Sequence, residues 1–163
     1  MIAQARDKSK RSLAAEVLRS GLHLRLRAMG TSMLPTLWPG DLLTIESVAV
    51  EQAKRGDLIL FMREGRFFVH RLIAKVEADA MLITRGDCLS AGDAPVSAKE
   101  FLGKVVQVQR RGLSFAPSPR LSRVRLVIAR LLCHFAPLQR LTLRIYARYR
   151  AAHFDLALAE DAC

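Results

Sequence analysis

Cysteine is scarce in this chain. Its three copies, Cys88, Cys133 and Cys163, form neither an even set nor a short metal-ligand spacing. That excludes a disulfide framework and a zinc pattern, and no metal or cofactor is expected. Long apolar runs are missing as well: no uncharged stretch approaches the ~18–20 residues of a membrane-spanning helix. The N-terminus is polar and charged where a secretory signal would carry its apolar segment. The expected location is therefore cytoplasmic, or peripheral at the cytoplasmic face of a membrane. A further absence is local: residues 120–150 hold eight arginines and no acidic side chain.

That gap shapes the charge of the whole chain. Residues 1–30 carry seven basic and two acidic side chains, while residues 31–119 carry eleven and ten. The formal net charge of +11 therefore sits on the flanks, around a nearly neutral centre. A hydrophobic content of 51% in 163 residues argues against disorder and suffices for one core.

Periodicity divides the chain further. Leu13, Val17 and Leu18 share one face of a short helix over residues 12–19. Strict alternation then predicts a half-buried strand over residues 22–27, with His23 on its solvent side. Further strands are expected at 42–46, 58–62, 67–76, 81–84 and 103–110, with Glu64-Gly65 turning a hairpin. Gly-Asp recurs at 40, 56, 86 and 92 as turn punctuation. Beyond Pro117-Ser118-Pro119 the period becomes helical: Leu121, Val124, Val127, Ile128, Leu131 and Leu132 form one stripe. After Pro137 a second stripe runs through Leu138, Leu141, Leu143, Ile145 and Tyr149, interleaved with Arg140, Arg144, Arg148 and Arg150.

The residues that carry chemistry lie in the β region. Ser32 sits in Gly30-Thr31-Ser32-Met33-Leu34-Pro35-Thr36-Leu37, a proline turn between two strand-like segments. His70 lies in the apolar strand Phe67–Ile73, and Asp87 and Asp93 lie in the turn-rich stretch that follows. A serine hydroxyl is a poor nucleophile until a base takes its proton, and imidazole, with an ordinary pKa of ~6.5, does this at neutral pH. A carboxylate orients the ring and stabilises its charged form.

Ser32 to Leu37, Lys54 to Phe61, Val69-His70-Arg71 and Thr84-Arg85-Gly86-Asp87 follow one another as do the boxes of type I signal peptidases. Over about residues 22–110 the chain resembles that family, which is related to the self-cleaving domains of LexA-type repressors. The resemblance implies a mainly-β catalytic domain at 22–112, while periodicity and charge place a charged segment with a short helix at 1–21 before it and a helical, arginine-rich appendage at 113–163 after it. It implies Ser32 as nucleophile and His70 as general base. Most bacterial members have lysine at the latter position, and histidine is the form of the archaeal and endoplasmic-reticulum enzymes. Asp93 matches the orienting acid, with Asp87 as the alternative. The Ser32 N–H would line the oxyanion hole and Met33 an adjacent apolar wall, while Gly30 stands where some bacterial members place an additional hydroxyl. Lys75 would lie on the opposite face of the His70 strand.

The expected function is a serine endopeptidase that cleaves a precursor or leader peptide, which the resemblance implies is bound as an added strand with small residues near the cut. The alternatives are a self-cleaving regulator of the LexA type and a non-catalytic membrane- or nucleic-acid-binding protein. Arginines rimming the apolar stripes of residues 120–150 suit an anionic membrane surface. The alternative there is two helices packed on the sheet or on each other. Nucleic acid is the less favoured partner, because about 21 residues before the first strand are too few for a helix-turn-helix.

Overall fold

The computed structural model describes residues 2–76, 81–135, 137 and 140–148. Helix α1 (Ile2–Arg19) leads into seven strands: β1 (Leu24–Arg27), β2 (Leu42–Glu46), β3 (Leu58–Arg63), β4 (Arg66–Val76), β5 (Met81–Arg85), β6 (Phe101–Arg110) and β7 (Leu113–Phe115). A short 3-10 turn at Val50–Gln52 precedes β3, and helix α2 (Arg123–His134) follows β7. Residues 140–148 are helical too. The fold is mainly β, and every strand pairing is antiparallel.

The sheet runs in the order β1-β2-β6-β3-β4-β5. Strand β6 is its spine. Lys104 pairs with Glu46 of β2 and with Ile59 of β3, while Val108 pairs with Leu43 of β2 and Phe115 of β7. β3 and β7 therefore share one edge of β6, and β2 takes the other.

Two hairpins turn on two residues of positive φ each. Glu64 (51°) and Gly65 (70°) join β3 to β4, and Arg111 (53°) and Gly112 (75°) join β6 to β7. Paired positive φ values give the turn a twist that matches the strands it connects. β7 went unread in the sequence because it is only three residues long and all three are exposed.

The core follows from alternation. Leu58 and Leu60 of β3 join Leu43, Ile45, Val105 and Val108 on one face of the sheet. Ile59 and Phe61 join Leu72, Leu82 and Val96 on the other. With both faces covered, the strand reads as an unbroken apolar run.

Helix α1 closes the first core through Ala15 and Leu18, both fully buried. It is longer than the expected 12–19, because its charged early turns require no apolar face to be helical. Its buried side also differs: Leu13 is exposed, and Ala15 takes the place expected of it. The exposed position of His23 agrees with the alternation of its strand.

The second correction concerns α2. It docks through Ala129 and Leu132, whereas Val124, Val127, Ile128 and Leu131 of the expected stripe are exposed. Leu132 packs with Leu34 and Cys88, beside Trp38, Cys133 and Leu143. Leu138 and Tyr149 of the second stripe lie outside the described residues. No described helix is long and apolar enough to cross a membrane.

Candidate active site

Three segments converge on Ser32. The first is its own loop between β1 and β2, whose base is closed by hydrogen bonds from the Ala28 N–H to the Asp41 carbonyl (2.8 Å) and from the Gly40 N–H to the Ala28 carbonyl (2.7 Å). Asp41 is buried, accepts from the Trp38 N–H and forms a two-pronged ion pair with Arg110 of β6. Arg110 also donates to the Thr36 carbonyl at 3.0 Å. The loop is thus fastened to the sheet's spine by charge-assisted bonds, the stronger class of hydrogen bond.

The second segment is β4, which carries His70 buried beside Phe61 and Phe68. The third is the stretch after β5, where the Asp93 N–H donates to the Thr84 carbonyl (2.9 Å) and the Thr84 hydroxyl donates to Asp93 Oδ2 (2.6 Å). The structure brings Ser32, His70 and Asp93 into one line. Asp93 Oδ2 lies 2.6 Å from His70 Nδ1, and Ser32 Oγ lies 2.9 Å from His70 Nε2. A carboxylate only accepts, so Nδ1 carries the ring proton and Nε2 of the neutral ring is left to accept from the serine hydroxyl. Such an arrangement can draw a proton from serine onto imidazole and hold the resulting charge against a carboxylate.

Asp87, the alternative acid, is engaged elsewhere. Both of its oxygens accept from Arg71 at 2.8 Å, and Oδ2 also accepts from the Thr36 hydroxyl. Arg71 reaches the carbonyls of Gly56 (2.8 Å) and Ser118 (2.9 Å) as well. Five segments thus meet at one buried guanidinium. Arg71 and Thr84 stood in the family boxes without a role of their own, and the Asp41–Arg110 pair was not singled out in the sequence.

The turn at Gly86 touches the serine directly. The Cys88 N–H donates to the Ser32 carbonyl at 2.7 Å, and a Cβ placed on Gly86 would stand 2.7 Å from that same oxygen. Glycine is required there by close approach, not by backbone angle. The Cys88 thiol is pushed up to about 12, first by burial and then by its contact with Cys133. It therefore stays protonated beside the loop, as a small filler.

Around the expected oxyanion position, no described residue accepts from the Ser32 N–H. Met33 is buried in the core with Leu37 and Leu60, and it also reaches the wall of the adjacent cleft. A Cβ on Gly30 would meet nothing within 4 Å. Lys75 donates to the carbonyls of Val50 and Glu51, away from Ser32. A register shift between Leu72 and Ala74 interrupts the alternation by which it was set aside, so its hydrogen bonds, and not strand parity, remove it.

The cleft has a volume of about 910 Å³ and runs from Ser32 and His70 toward Arg11. One wall is formed by Leu26–Met33 and the other by Glu64–His70. Among the described residues β1 pairs only with β2, and β4 pairs with β5 only from Arg71 onward. Both walls therefore contain strand residues that are paired along a single edge. Among the described residues no group of three or more histidine, cysteine, aspartate or glutamate side chains is arranged to hold a metal.

No curated protein matches the sequence. The family model for Peptidase S24-like domains matches residues 2–106, which takes in α1, the serine loop, the histidine strand and both acidic turns. With most of its length matched and a mainly-β fold around the site, the chain belongs to the Peptidase S24-like family, within the LexA and signal peptidase superfamily.

Proposed function

We propose that the protein is a serine endopeptidase acting in trans on a precursor or leader peptide. Ser32 attacks the scissile carbonyl, His70 takes the hydroxyl proton and returns it to the leaving amine, and Asp93 holds the ring. The Ser32 N–H supports the developing oxyanion. The observation that carries this reading is the unbroken hydrogen-bonded line from Ser32 through His70 to Asp93, opening onto a cleft of peptide dimensions. An extended substrate can add its backbone to the half-paired strand edges of that cleft, so that affinity comes from main-chain groups.

Self-cleavage is the second reading, favoured by the Peptidase S24-like match. Intact-mass analysis separates the two. Wild type and Ser32→Ala are incubated with a panel of peptides bearing small residues before the cut. Serine-dependent cleavage of the peptides supports a trans-acting enzyme, and serine-dependent loss of the protein's own mass supports a self-cleaving regulator. Cleavage unaffected by Ser32→Ala overturns the proposed mechanism.

A further inference from the structure

Helix α2 hides its less apolar side. At 100° per residue, Ala129 and Leu132 lie on the docked face, Val124, Val127 and Leu131 are turned to the other side, and Phe135, the C-cap, is exposed at the helix end. Val124 is 68% exposed, Val127 58% and Phe135 57%. The helical stretch 140–148 repeats the arrangement. Leu143 packs beside the cluster of Leu34, Cys88 and Leu132, and Tyr146 lies 4.5 Å from Trp38, ring centre to ring centre. Leu141 and Ile145, four residues apart, are turned outward. Beside them Arg140, Arg144 and Arg148 form an exposed cationic row.

An exposed apolar surface of this extent marks an interaction site. Its charge identifies the partner. With eight arginines and no acid over residues 120–150, two copies face to face would set cation against cation. A phosphate backbone would use the arginines and leave the aliphatic stripes in water. An anionic bilayer uses both: acyl chains receive the aliphatic side chains while headgroups pair with the guanidinium rim.

We propose that α2 and residues 140–148 form an in-plane docking surface for an anionic lipid bilayer. The docked faces of both helices rest on Leu34 and Trp38 of the serine loop and on Cys88 of the acidic turn, so the surface lies directly behind the candidate active site. The proposal is independent of the peptidase reading, since lipid binding is read without any cleavage.

The test is flotation with vesicles of phosphatidylglycerol and phosphatidylcholine, compared with phosphatidylcholine alone, at ~0.1 M salt. Wild type should float with the anionic vesicles only. Val127→Glu/Leu131→Glu, on the solvent side of α2, should weaken that binding at least tenfold with the melting temperature unchanged. Leu131→Trp should give a blue-shifted emission that brominated acyl chains quench. Failure of wild type to float with anionic vesicles overturns the proposal, as does undiminished binding by the double glutamate variant. Salt-sensitive binding to duplex DNA without vesicle binding assigns the surface to nucleic acid instead.

Discussion

Asp87 and Asp93 follow the same residue, glycine, in one short stretch, yet they do opposite things. Asp87 is almost fully buried and spends both oxygens on Arg71. Asp93 is more accessible, and a single oxygen accepts from His70 and Thr84. Their partners are consecutive residues of β4, one an imidazole that can exchange a proton and the other a guanidinium that cannot. Neighbouring carboxylates thus divide the work. One is tied into the scaffold, and the other is hydrogen-bonded to the ring that faces Ser32.

The sharpest way to break this comparison is to neutralise each acid in turn. Asp93→Asn should lower kcat about 10⁴-fold, the scale set by losing the tautomer-fixing carboxylate in a Ser-His-Asp site, while the protein stays folded. Asp87→Asn should instead cost about 3 kcal/mol of stability in denaturant titration, because it leaves a buried guanidinium without its counter-charge. The reverse pattern would exchange the two roles.

A smaller effect is expected from Thr84→Val, which keeps the side-chain volume but deletes the donor to Asp93. Loss of roughly 1–1.5 kcal/mol of orientation is about tenfold in kcat. Thr84→Ser should restore the rate, whereas a packing role for the methyl group would not be rescued.

Glu100 supplies the smallest term. Arg63, followed by the Ser97 N–H and hydroxyl, holds its carboxyl at about 2 against the opposing effect of burial. A folded-state value below the ordinary glutamate range stabilises the fold above that range, and the contribution fades as pH falls toward about 2. This pair is partly solvated, so Glu100→Gln should cost no more than ~1 kcal/mol at pH 7. The gap in melting temperature between variant and wild type should narrow at pH 3.

Strands were legible wherever burial repeats every second residue, and β2 has the bounds its alternation gives. Glu64-Gly65 was legible as a turn, while Arg111-Gly112 had no recognisable strand after it. The stripe on α2 was a correct reading of helical period but a wrong guide to burial: an apolar side points inward only if something covers it. At the site, Ser32 and His70 stood out by their surroundings in sequence. The choice between Asp93 and Asp87 depended on what else each could pair with, and Arg71 became visible as a competitor only in three dimensions. Asp41 and Arg110 were hidden for a related reason, being 69 residues apart with no local pattern linking them.

The strand order has a consequence for timing. Ser32 belongs to the β1–β2 unit and His70 to the β3–β4 unit, and these two hairpins do not pair with each other. β6 joins them, and it is made after both. During synthesis from the N-terminus, the serine and the histidine therefore reach the ribosome's exit on separate pieces of sheet. A chain that stops short of β6 therefore lacks the strand along which the two pieces are set side by side.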